Sequence, residues 1–357
     1  MAETIKRFIE AFIPVDACSL RCPYCYVTLR QLFNNKEFKM KYSPEQIGYA
    51  LRKERLGGVC FINMCGNGET LIPPTIVKYA RALLERGHFV ALVTNGTLTA
   101  RFRELSELPP DLLKRLFLKF SYHYLELKRL NLLGRFFENI RLMRDAGASF
   151  VLEITPSDET IPYIEELKQA SLDNLGAVCH ITIARDESVE GKLPILTALT
   201  DEEFYKTWGV FDCEMFNYKK TIFGQRRKEF CYAGDWSFSL NLGTGMMSQC
   251  YKSLYNRNII EDPEAPIPFK AIGHFCQECH CYNGHSFLSW GDIPSLKSPT
   301  YAEERNRICP DGSEWLKPEM KQFMSTRLYE GNKEYSPWRK AMTDAEMAAR
   351  VIKRKIF

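Results

Sequence analysis

The sequence predicts an α/β fold built on a parallel, barrel-like sheet, with a cysteine-rich extension behind it. Three observations carry that expectation. Six short apolar runs alternate with amphipathic stretches through residues 1–200, the pattern of strands joined by helical crossovers. The runs lack polar alternation, as do strands covered on both faces. Beyond residue 200 the periodicity fades into an aromatic-rich stretch holding Cys231, Cys250, Cys276, Cys279 and Cys281.

Taken in order, Phe8 to Val15 reads as the first strand. Ser43-Pro44-Glu45-Gln46 is a capping box with proline at the first helical position, so a helix starts there. Val59 to Met64 is the second strand. Ile76, Tyr79, Ala80, Leu83 and Leu84 then repeat at helical spacing until Gly87. Phe89 to Thr94 and Leu116 to Ser121 are strands three and four, and a helix carrying Leu133, Phe136, Phe137, Ile140 and Met143 follows, ending at Gly147. Phe150 to Thr155 and His180 to Ala184 are strands five and six, separated by a helix around Tyr163 to Leu172. The capping box Thr200-Asp201-Glu202-Glu203 marks where the barrel pattern stops. From about Trp290 the chain is polar with scattered aromatics, and Thr343-Asp344-Ala345-Glu346 starts a final helix. The expected organisation is therefore a barrel over 1–200, a cysteine-rich unit over 201–290 and a tail over 291–357. Right-handed crossovers put every strand's C-terminal end on one face, where α/β barrels build their sites.

Composition bounds the function. A chain of 357 residues, 45% hydrophobic, has material for a large core, and a net charge of +4 points to neither nucleic acid nor an acidic membrane surface. No apolar run approaches the roughly 18 residues needed to span a bilayer. Glu3, Lys6, Arg7 and Glu10 interrupt the first apolar residues, so no signal-peptide core forms. Thirteen cysteines, an odd number, then fit metal binding in a reducing cytoplasm better than a disulfide framework.

The chemistry concentrates in the loops after the strands. Strand one is followed by Cys18-Ser19-Leu20-Arg21-Cys22-Pro23-Tyr24-Cys25. Three thiolates can each ligate one iron of a cubic cluster and leave the fourth iron open. A zinc knot would want a fourth Cys or His close by, and none follows. Strand two is followed by Cys65-Gly66-Asn67-Gly68-Glu69-Thr70, where glycines allow close backbone approach and a carboxylate can accept from an ammonium group. Strand three ends in Thr94-Asn95-Gly96 and strand four in Ser121-Tyr122-His123. Glu153 and Arg185 belong to the same face.

This set of loops resembles the radical SAM enzymes. The resemblance implies a partial (β/α)6 barrel in which Cys18, Cys22 and Cys25 hold a 4Fe-4S cluster whose open iron chelates S-adenosylmethionine. One electron, from a donor such as a flavodoxin or ferredoxin, then yields a 5'-deoxyadenosyl radical that takes a hydrogen atom from substrate. Tyr24 fills the family's aromatic position before the third cysteine. Gly66, Gly68 and Glu69 match its Gly-Gly-Glu-Pro segment, with Asn67 intervening and Thr70 replacing proline. By the same resemblance Asn95 and Ser121 contact the cofactor and His123 stands where relatives carry an acid; Arg185, on the same predicted face, carries a guanidinium suited to pair with the cofactor carboxylate. Cys65, at the active end of strand two, is a candidate hydrogen donor to a substrate radical.

The later cysteines are similar to the auxiliary-cluster extensions called SPASM and Twitch domains. That implies a second iron-sulfur cluster on Cys231, Cys250 and Cys276, with Cys279 or Cys281 as the fourth ligand. Zinc is the alternative, given His274, His280 and His285 beside these cysteines. Cys60, Cys179, Cys213 and Cys309 read as small core residues. The extension favours a peptide or protein substrate, and a single extra cluster suits oxidation or epimerisation of a small polar substrate such as a sugar or aminoglycoside. The rival of another class is a non-catalytic iron-sulfur or zinc protein.

Overall fold

The apolar runs become strands nearly as their composition dictates. In the computed structural model, which describes residues 3–29, 31, 33, 39–186, 189, 191–251 and 254–356, β3 (Phe89–Thr94) and β4 (Leu116–Ser121) have the expected bounds. β1 (Arg7–Ile13), β2 (Cys60–Gly66) and β5 (Ser149–Ile154) start or end within two residues of expectation. Strand six is shorter than expected: β6 is only His180–Ile181. Thr182 N donates to the Ile154 carbonyl at 3.0 Å, and the chain then leaves the sheet for a bridge between Arg185 and Ile195.

Local caps set the helices. Ser43 Oγ accepts from Gln46 N at 3.2 Å while Gln46 Oε1 accepts from Ser43 N at 2.8 Å, starting the helix Pro44–Ala50. Thr200 and Glu203 do the same for Asp201–Trp208. The helix Leu133–Ala146 stops at Gly147, whose φ of 104° suits only a residue without a Cβ. Between β5 and β6 a 3-10 turn precedes the helix Ile164–Leu175. The final helix begins earlier than Thr343: it spans Pro337–Ile356, and Ser336 Oγ caps it by accepting from Arg339 N at 3.3 Å. Thr343 lies inside that helix, its hydroxyl donating to the Arg339 carbonyl.

Nine strands among the described residues form one sheet in the order β6-β5-β4-β3-β2-β1-β7-β8-β9. β1 to β6 are parallel and neighbour one another in sequence order, the βαβ repeat of a partial barrel. β7 (Ser237–Asn241) adds in parallel to the free edge of β1, and β8 (Met246–Ser248) and β9 (Asn256–Asn258) continue antiparallel. The sheet thus crosses residue 200, and the side chains behind it join the same core.

Alternation along β1 puts Phe8, Glu10 and Phe12 on one face. Phe8 pairs across to Phe61 and Ser237, and Glu10 to Asn63 and Ser239. The Phe8 layer is sealed by the tail: the Trp290 ring lies 4.7 Å from Tyr301, 5.1 Å from Phe61 and 6.1 Å from Phe8, and Phe323 stacks on Phe89 at 3.9 Å. Trp290 and Trp315 are therefore core, while Trp338 is 74% exposed. Charges buried nearby are paired, with Arg305 Nε 3.0 Å from Glu153 Oε1 and its NH1 3.3 Å from Glu304 Oε2. No helix among the described residues is long and apolar enough to cross a membrane.

Candidate functional site

The loops at the C-terminal ends of the strands interlock. Gly68 N donates to the Val15 carbonyl at 2.7 Å and Glu69 N to the Ala17 carbonyl at 2.8 Å, so the glycine turn is laid along the segment that leads into Cys18. A Cβ on Gly68 would sit 2.0 Å from Ala17 O, and one on Gly66 2.4 Å from Val15 Cγ1. Those two glycines are required by that approach. Glu69 is 2% exposed, and its carboxylate ties the turn to the end of β3: Oε1 accepts from Thr94 Oγ1 at 2.7 Å and Leu71 N at 3.0 Å, Oε2 from Asn95 N at 2.6 Å. Burial pushes this carboxyl above its ordinary range against those bonds.

The cysteine loop is held from three sides. Asn95 Nδ2 donates to Ser19 Oγ at 2.9 Å and lies 3.6 Å from Cys18 Sγ. Glu126 Oε2 accepts from Arg21 N at 3.0 Å. Tyr24 OH meets His123 Nδ1 at 2.8 Å, and burial pushes His123 down to about 4, so the pair is neutral at neutral pH. His123, placed by sequence where an acid was expected, thus anchors Tyr24. Cys18, Cys22 and Cys25 line one pocket together with the turn 66–70, Asn95, Ser121 and His123. Burial pushes the Cys22 thiol up to about 12 and raises Cys18, so both thiols would release protons on binding a cationic cluster. Among the described residues no three His, Cys, Asp or Glu side chains are set to share a single metal ion.

Beyond Gly66, Asn67 and Val93 this pocket adjoins a cavity of about 850 Å³. Its wall includes Glu10, Asn63, Cys65, Lys119 and Arg185. Glu10 Oε1 accepts from Asn63 Nδ2 at 2.9 Å and from Cys65 Sγ at 3.0 Å. Burial raises both the Glu10 carboxyl and the Cys65 thiol, so the thiol stays protonated. Arg185 is not brought to the cysteine pocket: it follows β6, at the far end of the barrel sheet from β1, and its guanidinium donates to the Tyr282 carbonyl and lies 5.1 Å over the Tyr282 ring. Glu153 points to Arg305 instead. Glu10 and Lys119 were missed by sequence reasoning. Their signal was a charged residue in the middle of an apolar strand, which needs a polar partner or a ligand.

The later cysteines also converge. Cys231, Cys250, Cys276 and Cys281 line one pocket with Tyr251 and Tyr282. Cys279 turns away, its Sγ donating to the Lys192 carbonyl at 3.3 Å. None of the three histidines lines this pocket. His274 Nδ1 pairs with Asp344 Oδ2 at 2.8 Å, the His280 ring packs 4.4 Å from Phe223, and His285 is buried beside Arg305. Cys250, Tyr251, Tyr282 and Asn283 belong to both this pocket and the large cavity. None of the thirteen cysteines is in a disulfide, and Cys60, Cys179, Cys213 and Cys309 are buried.

Residues 12–170 match the Radical SAM superfamily. No curated protein sequence matches the chain. In fold it is similar to Streptococcus suis SuiB bound to S-adenosylmethionine, at 14% identity and a TM-score of 0.51 over 73% of this chain and 64% of SuiB, so it spans just under two thirds of that protein's length. Polyhistidine-tagged anSMEcpe with bound AdoMet is similar at 13% identity and a TM-score of 0.53, over 98% of this chain and 94% of that one. Native anSMEcpe with bound AdoMet and Cp18Cys peptide gives 13% identity and a TM-score of 0.51, covering 98% of each chain. These likenesses show the fold. The family match runs from the end of β1 into the helix after β5, the part of the chain that builds the three-cysteine pocket, and over those residues the chain is similar to the radical SAM superfamily, whose members use a 4Fe-4S cluster and S-adenosylmethionine.

Proposed function

We propose that the chain is an enzyme that reductively cleaves S-adenosylmethionine to a 5'-deoxyadenosyl radical and abstracts a hydrogen atom from a substrate held in the 850 Å³ cavity. The observation that carries this is one pocket lined by Cys18, Cys22, Cys25 and the glycine turn, adjoining the large cavity through Gly66, Asn67 and Val93. Cys18, Cys22 and Cys25 would hold the cluster, and the backbone of residues 66–70 with Ser121 would face the bound cofactor. Asn95, Tyr24 and Glu69 keep the loops in place through the bonds described above. When bound, cluster and cofactor together supply the radical. The protein's share is to bind, aim and exclude water. The protonated Cys65 thiol, held by Glu10 at the cavity wall, is proposed to give its S–H hydrogen atom to a substrate radical, leaving a thiyl radical on Cys65.

Cys231, Cys250, Cys276 and Cys281 are proposed to hold a second iron-sulfur cluster. A pocket lined by four cysteines and none of the three histidines supports that over a mixed Cys/His zinc site. A peptide substrate is supported by the likeness to anSMEcpe with bound AdoMet and Cp18Cys peptide. A small polar substrate is favoured by the amides and hydroxyls of Asn63, Asn241, Asn256, Ser239 and Ser248 on the cavity wall. The test is 5'-deoxyadenosine formation by anaerobically reconstituted protein under dithionite, with loss in Cys22→Ala. Wild-type protein that carries a cluster and yet forms none would sink the proposal.

A further inference from the structure

We propose that Lys119 is the recognition site for a carboxylate on the substrate, so that the molecule held in the large cavity is an acid. The inference rests on the reading that this cavity receives the substrate of the radical reaction. It adds the chemical class of that substrate and the residue that selects it.

Four basic side chains among the described residues are buried: Arg7, Lys119, Lys219 and Arg305. Three of them are bonded. Arg7 NH1 lies 2.8 Å from Asp235 Oδ1, Arg305 Nε lies 3.0 Å from Glu153 Oε1, and Lys219 Nζ donates to Thr182 Oγ1 at 2.7 Å. Lys119 is 8% exposed, lines the cavity, and forms no hydrogen bond or ion pair with any described residue. A buried charge without a partner is costly, and a ligand that supplies the partner removes that cost.

Strand register fixes where such a ligand would sit. Lys119 on β4 pairs with Val93 on β3, and Val93 is on the wall of both the cavity and the three-cysteine pocket. Alternation along β4 puts Lys119 on the face of Ser121, which lines the three-cysteine pocket, whereas Lys119 lines the cavity. A group held by Lys119 therefore lies beside the boundary between the two.

The charge of the wall fits an anion. Its charged residues are Glu10, Lys119 and Arg185. Burial raises the Glu10 carboxyl, which favours its neutral form, and Oε1 already accepts from Asn63 and Cys65. Burial also works against the charge of Lys119, but Tyr301 and Glu153 raise it above its ordinary value, so it stays an ammonium. Arg185 is bonded to the Tyr282 carbonyl. One unbonded ammonium matches the single charge of a carboxylate better than the nearly double charge of a phosphate monoester. The same ammonium repels a polycation such as an aminoglycoside. Asn63 Oδ1, buried on this wall without a partner, calls for a hydroxyl or amide donor elsewhere on the acid.

The test measures binding by isothermal titration calorimetry to anaerobically reconstituted protein loaded with S-adenosylmethionine. Two matched pairs of probes are used: glucuronate against glucose, and an acetylated, amidated Gly-Asp-Gly tripeptide against its Gly-Asn-Gly counterpart. At least one acid is expected to bind about 10-fold or more tightly than its neutral partner; the sugar pair reports a small substrate and the peptide pair a peptide. Lys119→Met is expected to abolish that preference and to leave S-adenosylmethionine affinity unchanged. The wild-type comparison needs no variant and decides the matter even if Lys119→Met does not fold. Wild-type protein that prefers neither acid, a preference that survives in Lys119→Met, tighter binding of the polycation kanamycin than of either acid, or loss of S-adenosylmethionine affinity in folded Lys119→Met would each overturn the carboxylate site. No 5'-deoxyadenosine from wild type with dithionite would instead overturn the reaction itself.

Discussion

Replacing Gly68 by alanine is the sharpest test of how the glycine turn serves the cysteine loop. The added Cβ would lie 2.0 Å from the Ala17 carbonyl oxygen, more than about 1 Å inside any non-bonded contact. The obstacle is backbone, so no side chain can swing aside, and the turn must move off the segment 15–17. That movement breaks the bonds from Gly68 N to Val15 O and from Glu69 N to Ala17 O. At about 1 kcal/mol each, their loss weakens the closed arrangement by about 2 kcal/mol, or about 30-fold in an equilibrium constant. Displacement of the turn by about 1 Å should also cost on the order of 100-fold in the rate of any reaction aimed by it. The assay is S-adenosylmethionine affinity by equilibrium dialysis, with 5'-deoxyadenosine formation and iron content on the same preparations. Gly134→Ala is the control, since a Cβ there meets nothing within 4 Å. A Gly68→Ala protein that binds the cofactor within threefold of wild type and cleaves it at the same rate would refute the argument.

Three further outcomes are expected. Cys281→Ala should lower bound iron and sulfide by the amount of the second cluster while Cys279→Ala leaves them unchanged, because Cys279 faces the Lys192 carbonyl; elemental analysis after anaerobic reconstitution decides it. Trp290→Ala, which removes a fully buried ring packed on Phe8, Phe61 and Tyr301, should cost about 3–5 kcal/mol in denaturant unfolding; a loss below about 1 kcal/mol would contradict a plugged barrel. Burial pushes His88 down to about 4, its ring bonded to Cys60 N and the Leu51 carbonyl. The unfolded chain protonates first, so this stability is complete above about pH 6.5 and is lost as pH falls towards 4, on the order of 3 kcal/mol in all. His88→Gln should flatten that slope in urea titrations.

What was legible in the sequence followed from unambiguous physics. β3 and β4 are apolar runs wholly inside a parallel sheet, so composition fixed both ends. The cap at Ser43 needs only local hydrogen bonds and was readable. The capping pattern at Thr343 was equally well formed, yet the helix already runs through it from Pro337, because Ser336-Pro337 supplies an earlier start. Local chemistry permits a start at either place, and the Ser336 cap together with the Lys340–Glu334 ion pair holds the longer one. Cys279 and Cys281 could not be separated by spacing, since they are two residues apart on a loop. Only the direction of each side chain separates them.

Glu10 was the most informative residue to be overlooked. In the run Arg7–Ile13 it reads as an interruption of an apolar strand, and a lone carboxylate there would be costly. The cost is offset because Asn63, its neighbour across the sheet on β2, donates to it, and Cys65 adds a thiol two residues along. A polar strand interior of this kind has no use in packing, where Phe8 and Phe61 already fill the layer next to it. It makes sense where the barrel stops being a core and becomes a chamber. The cavity that begins at Glu10 shares Gly66 and Asn67 with the three-cysteine pocket on one side, and Cys250 and Tyr251 with the four-cysteine pocket on the other. A substrate bound in that chamber, as proposed, would lie between the two cysteine groups, with Cys65 on the wall. β7, which extends the barrel sheet beyond β1, helps bring the second group to it.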